Sequence, residues 1–193
     1  QNEELNLLAD IKSNLEITLT EFDKDLITNN KHVYFYNRIE KYIEDDLPYH
    51  QELDSAFGRL TFWNSPYVTS TAYKSLQTKG VDIIKNKTLR YDLVNMHEIE
   101  FTILTNDYDK SEWNISENVV TPFFSKHIRR LNEPSLMLAR PNNFESLKQN
   151  EEFKNILSMI TRQRKKGFEL YAETKSKVEI LIQDIDTELK SRQ

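Results

Sequence analysis

Residues 5–47, LNLLADIKSNLEITLTEFDKDLITNNKHVYFYNRIEKYIEDDL, decide the fold. Taken three and four residues at a time, they give Leu5, Leu8, Lys12, Leu15, Leu19, Phe22, Leu26, Asn29, Val33, Tyr36, Glu40, Ile43 and Leu47. This is an apolar stripe broken by three polar side chains, and no Pro or Gly interrupts it before Pro48. At about 1.5 Å per residue it makes a helix on the order of 60 Å long. Such a helix must bury its stripe against other helices. Lys12, Asn29 and Glu40 admit two readings: they mark where a bundle opens to water, or Asn29 fixes the register, as buried asparagines do in coiled coils. Pro48 ends the helix, because the residue before a proline is biased away from helical geometry.

Working outward, residues 48–70 are irregular and aromatic, with Tyr49, Phe57, Phe62, Trp63 and Tyr67 close together. HQELDSAFGRL supplies a helical turn or two ending at Gly58, and TFWNSPYVTS crosses over in extended form around Pro66. A short helix, TAYKSLQTK, follows, with Thr69 or Ser70 as N-cap and Gly80 at the left-handed C-terminal position. VDIIKN is a brief extended link. Asn86 then caps a helix whose buried stripe is Leu89, Leu93, Met96, Phe101 and Leu104. That helix runs to about Asp109; either Ser111 starts a new one, or the rod continues, kinked near Pro122, to Leu131. The kinked continuation is preferred. NEPSLMLARPNN, with Pro134 and Pro141, is a non-helical connection. The last helix, capped by Asn150, reaches about Ser191 and carries Gly167 in its interior, where glycine costs about 1 kcal/mol relative to alanine. The expectation is all-α: an elongated antiparallel bundle of three long helices in up-down-up order, plus a short helix. It forms a single domain over 1–193, with an irregular aromatic cap at about 48–86.

Composition agrees with this and excludes several functions. The chain holds only three glycines and five prolines in 193 residues, too few breakers for a sheet of many short strands. A net charge of −5 argues against a nucleic-acid binder. With no cysteine there is no disulfide, thiolate metal site or cysteine nucleophile. No stretch approaches the roughly 20 apolar residues of a membrane span.

Catalytic and cofactor motifs are not found, so a non-enzymatic protein without cofactor is expected. The residues three before His32, His50, His97 and His127 are Asn29, Leu47, Val94 and Phe124, so the Glu-x-x-His pattern of di-iron bundles fails at all four. His97 with Glu98 or Glu100 makes only two ligands. There is no phosphate loop, nucleophile elbow or zincin pair. Two candidate surfaces remain. One is the aromatic cap, Tyr49, Phe57, Phe62, Trp63 and Tyr67, as a ligand or partner pocket or else a packed plug. The other is the basic run Arg162, Arg164, Lys165 and Lys166, with Lys126, Arg129 and Arg130 as a neighbouring patch, as an anion or partner site or else the wet face of a helix.

The segment TAYKSLQTKGVDIIKNKTLRYDL (71–93), together with QNEELNLLADIKSNLE (1–16), resembles an uncharacterised bacterial family of single-pass membrane proteins, a domain of unknown function. DSAFGRL and NEEFKNILSMI match more loosely. The resemblance implies one transmembrane helix upstream of Gln1, placing this domain in the periplasm at the inner membrane; it brings no catalytic residue. A first residue other than Met suits a removed leader or anchor, and equally a boundary chosen for cloning. The expected role is a sensor-like or scaffolding module that binds a ligand or an unidentified protein partner at the aromatic cap. The alternative is an assembly subunit, such as a homo-oligomer, joined through a helix face. A metal-binding or enzymatic bundle is the third reading.

Overall fold

The computed structural model describes residues 2–132 and 137–192. α1 (Asn2–Glu44) is one unbroken helix. It buries Glu4, Leu8, Ile11, Leu15, Thr18, Phe22, Asp25, Asn29, His32, Tyr36 and Ile39, a heptad seam without a gap. Every second position is the expected one. The others lie one residue earlier than expected: Glu4, Ile11, Thr18, Asp25, His32 and Ile39 are buried in place of Leu5, Lys12, Leu19, Leu26, Val33 and Glu40. Apolar character alone selects Leu19 and Leu26, which pack only partly buried beside the seam. Polar partners waiting opposite Thr18 and Asp25 select the true one. Asn29, at 0% exposure, is inside rather than at an opening to water. The helix stops before Pro48 through a Schellman motif. Leu47 N–H donates to Tyr42 O and Asp46 N–H to Ile43 O, with Asp46 at a φ of 51°.

The described residues divide into two compact units, each assembled from separated stretches. The first takes 2–26, 65–108 and 169–192. Within it the segment 69–85 runs antiparallel to α1. Thr69 N–H reaches Thr18 Oγ1 at 3.1 Å, Ala72 N–H reaches Asn14 Oδ1 at 2.9 Å and Lys85 N–H reaches Glu4 at 2.8 Å. This segment carries α3 (Thr71–Lys79), Gly80 at a φ of 99°, and a 3-10 turn at Val81–Ile83 where an extended link was expected. It follows α2 (Asp54–Gly58) in the chain. α4 (Lys87–Asn95), capped by the Asn86 side chain on Leu89 N–H, opens the next leg. The end of α8 (Glu151–Ser191) returns along both, pairing Lys12 with Asp186 at 2.7 Å, Asp23 with Lys175 at 2.6 Å and Glu100 with Lys177 at 2.9 Å. The leg order is therefore up-down-up-down, not up-down-up. The missing leg is 69–85, which sequence placed in the cap because α3 alone is too short to read as a rod.

Helical turns are unbroken from 87 to 127, through α5 (Asp109–Ile115) and α6 (Thr121–His127), as the continuation reading holds. Three stretches of that run are π-helical: Met96–Glu100, Ile103–Tyr108 and Ser116–Val120. The buried stripe explains them. It steps Leu93, Met96, Phe101, Leu104, Tyr108, Glu112, Ser116, Val120, with one interval of five residues and four of four. A straight α-helix drifts about 40° at each four-residue step, and a wider turn removes that drift. The last π turn also leads into Pro122, whose missing N–H an α-helical turn would require.

The second unit takes 27–64 and the described part of 109–168. Here the helix gives way at Ile128, not Leu131, to β1 (Ile128–Arg130), which pairs antiparallel with β2 (Ala139–Pro141). Sequence reading missed this short hairpin. Pro134, expected in the non-helical connection, lies outside the described residues. α7 (Phe144–Lys148) and the start of α8, capped by Asn150 on Phe153 N–H, complete the unit. Its core stacks Phe123 and Phe57 on Phe153, at 5.6 and 6.1 Å between ring centroids. Gly58 is obligatory there. A Cβ on it would run into the backbone carbonyl of Met137 and come within 2.9 Å of Leu138 N.

Candidate functional site

The first unit carries a groove of about 440 Å³ between α3 and the helical stretch 97–105. That lies within the roughly 300–1,000 Å³ of small-molecule sites. Pro66, Tyr67, Val68 and Phe101 give it apolar wall, and Lys74, Gln77, Glu98, Thr102 and Thr105 give it polar edge. At its centre the Tyr73 and His97 rings stack at 4.0 Å and 10°. Tyr73 is 3% exposed and bonded to Glu98; burial, then the neighbouring carboxylate, pushes its hydroxyl up to about 12. Burial holds His97 below the ordinary histidine range, so the ring is neutral. Its Nδ1 lies 3.0 Å from Leu93 O, and a carbonyl only accepts, so Nδ1 carries the proton. Nε2 then offers a buried lone pair that no described group meets.

Two elements hold these walls differently. α3 hangs from α1. Ser70 occupies its N-cap position but makes no capping bond, and Asn14 Oδ1 accepts from Thr71 Oγ1 and Ala72 N–H instead, both at 2.9 Å. The facing wall contains the π turns Met96–Glu100 and Ile103–Tyr108, a widened geometry often found where a helix meets a ligand. Phe101 joins that wall to the core, edge-on to Phe22 of α1 at 6.2 Å; Phe22 in turn packs on Tyr171 of α8 at 5.2 Å.

The five aromatics expected to share one pocket are dispersed. Only Tyr67, 73% exposed, lines the groove. Phe57 is fully buried in the core of the second unit, where Tyr49 also packs on Phe144 at 5.4 Å. Trp63 donates from Nε1 to Asp109 at 2.9 Å and meets Trp113 edge-on, while Phe62 lies under the Arg130 guanidinium. Phe57, Tyr49 and Trp63 thus have packing partners of their own, while Phe62 is 37% exposed. Phe57 belongs to the core of the second unit, with Tyr49 packed against that core.

The basic run also separates. Arg162, Lys165 and Lys166 are exposed, but Arg164 is 2% exposed and ion-paired with Glu112, itself 1% exposed. Arg164 also donates to Phe62 O at 3.1 Å and covers the Trp63 ring at 5.7 Å. It occupies the inward seam of α8, between Ile160 and Tyr171, and leaves the proposed anion patch. Of its neighbours, Arg130 is engaged with Gly58 O at 2.9 Å and with Thr61.

Sequence reasoning passed over several other polar groups of the second unit. His32 is 2% exposed; burial, then the Arg164 and Arg59 cations, pushes it down to about 4. Asp54 accepts a forked pair of bonds from Arg140, at 2.9 and 2.5 Å, and a third from Tyr49. Burial pushes this carboxyl up, but those three bonds outweigh it and hold Asp54 below its ordinary range. Lys148, 4% exposed, reaches Asp46 at 2.6 Å and Glu145 at 2.7 Å. The Asp54 and Lys148 contacts satisfy one another, which marks them as structural, whereas His32 Nδ1 is buried without a hydrogen-bond partner among the described residues. Among the described residues no three metal-ligating side chains converge, and no helix is long and apolar enough to cross a membrane. Comparison with protein-family models, curated proteins and solved structures found no match for the chain.

Proposed function

We propose that the chain is a non-enzymatic sensory or scaffolding module that takes a small ligand in the groove of its first unit. Binding is read out as a change of helix packing. One observation carries the reading: a 440 Å³ groove with an exposed tyrosine at its edge and, on the His97 that lines it, a buried acceptor left without a donor. A buried polar atom without a partner costs free energy until something pairs with it. Phe101 lies in the groove wall and against Phe22, so a ligand that moves the π-helical wall moves the contact between that leg and α1. The resemblance of 1–16 and 71–93 to a membrane-anchored family supports placing the module outside the inner membrane, with α1 leading back toward an anchor. The ligand therefore belongs at the groove, not at the aromatic cluster around Phe57.

The test is a thermal-shift screen of a small-molecule panel against the chain and against Thr102→Trp, which fills the groove. Stabilisation by at least one compound, lost in the filled variant, is expected. A panel that shifts neither protein, or shifts both alike, would remove the reading.

A second reading has its own support. Ile27 and Tyr34, seven residues apart on one face of α1, are 73% and 59% exposed. That spacing suits an assembly face. Solution mass separates the two: a concentration-dependent dimer lost in Ile27→Lys/Tyr34→Lys would favour assembly.

A further inference from the structure

Lys74 and Glu98 are opposite charges on the edge of the same groove, and neither has an ionic partner among the described residues. Each is the chain neighbour of one of the stacked rings, Lys74 of Tyr73 and Glu98 of His97, and both line the groove with them. Glu98 is already oriented by Gln77 Nε2 at 2.7 Å and by the Tyr73 hydroxyl. Its charge is thus fixed in place without being neutralised. The acceptor-bearing His97 and the apolar side chains of Tyr67, Val68 and Phe101 line the same groove. A ligand that satisfies all of these must carry a positive N–H donor, a negative group and an apolar body.

Resting on the groove reading above, we infer that the ligand is a zwitterion with an apolar side chain, a free α-amino acid. Its ammonium takes Glu98 and the acceptor Nε2 of His97; its carboxylate takes Lys74. Its side chain covers the apolar wall. An anion alone leaves Glu98 and Nε2 unserved, and an amine alone leaves Lys74 unserved.

Calorimetric titration of the full chain tests this with L-phenylalanine, N-acetyl-L-phenylalanine and L-phenylalaninamide, which remove one charge each. L-Phenylalanine is expected to bind, and each analogue to bind about ten- to a hundredfold more weakly, the loss of one charge-assisted hydrogen bond. Lys74→Gln should abolish the preference over the amide only, and Glu98→Gln the preference over the acetylated form only. Circular dichroism confirms that each variant is folded. Equal binding of all three compounds overturns the proposal, as does a preference that either variant leaves untouched. If L-phenylalanine fails while another compound binds and Thr102→Trp blocks it, the zwitterion assignment falls and the groove reading stands. L-Phenylalanine that binds Thr102→Trp unchanged sinks both. If none of the three binds, the amino-acid assignment is wrong, and the thermal-shift panel decides the groove separately.

Discussion

Replacing Arg164 by methionine separates a surface cation from a buried one. The guanidinium is 2% exposed and paired with a carboxylate that is 1% exposed, so the substitution leaves Glu112 in the interior without its cation. Breaking one side of a buried ion pair costs about 3–5 kcal/mol. The Trp63 ring, 5.7 Å from the buried guanidinium, adds about 2 kcal/mol. Methionine keeps much of the apolar stem, so lost packing is the smaller part. A second change, Glu112→Leu, removes the orphaned charge, and the double variant should return to within about 2 kcal/mol of the parent. The assay is urea unfolding followed by tryptophan fluorescence. The chain's two tryptophans, Trp63 and Trp113, stand 4.9 Å apart in the second unit and report on it. If Arg164→Met alone costs less than about 1 kcal/mol, the side chain is solvated as the basic run suggested, and the burial argument is wrong. A double variant no better than the single would show that Glu112 is not the group being orphaned.

Three further outcomes follow from single contacts. Gly58→Ala should destabilise the second unit by about 2 kcal/mol, because the new methyl meets hairpin backbone and not a yielding side chain; an unchanged tryptophan-monitored midpoint would show that the hairpin gives way. Asn14→Ala should cost about 1–2 kcal/mol, since its amide oxygen caps α3, whereas Ser70→Ala should cost under about 0.5 kcal/mol; chemical unfolding of both settles which residue caps the helix. His32 is depressed from 6.5 to about 4, so the unfolded chain binds the extra proton first as pH falls. Its stabilising contribution is complete above pH 6.5 and declines by up to about 3 kcal/mol toward pH 4. His97 shifts in the same direction, so the comparison is with His32→Gln, whose tryptophan-monitored stability should fall less across that window. Parallel pH profiles for the two proteins would refute the assignment.

The fold was legible where apolar spacing and capping chemistry agree. α3, the Asn86 cap, the Asn150 cap and the extent of α8 all stand where the residues put them. Legibility ended where polar residues are buried. Thr18 and Asp25 occupy seam positions because each meets a donor from a distant segment, while His32 is buried stacked on Tyr36 one turn along the same helix; hydropathy favours the adjacent leucine or valine at all three. Arg164 was misassigned for the same reason, although the eleven-residue gap it fills between Ile160 and Tyr171 was a usable signal. The groove was nearly invisible, with Tyr67 its only anticipated member. Its other wall comes from π turns, whose five-residue step from Met96 to Phe101 is visible only once the stripe is followed residue by residue.

The polar seam of α1 and the groove are one arrangement in the first unit. Leu8, Leu15 and Phe22 are apolar knobs that would pack comparably one heptad along, so they do not specify which turn of α1 faces which neighbour. Asn14, Thr18 and Asp25 do. They meet Ala72 N–H, Thr69 N–H and the Tyr171 hydroxyl at 2.9, 3.1 and 3.0 Å, and a slide of seven residues would break all three contacts, two of them at buried positions of α1. Two of the three contacts also anchor α3 and its lead-in, one wall of the groove. That wall is therefore pinned to α1 through its backbone, while the facing wall is tied to its neighbours through side chains, Glu98 to Gln77 at 2.7 Å, Glu100 to Lys177 at 2.9 Å and Phe101 to Phe22. On the function proposed above, Phe101 on Phe22 is the contact through which a displacement of the π-helical leg would reach α1.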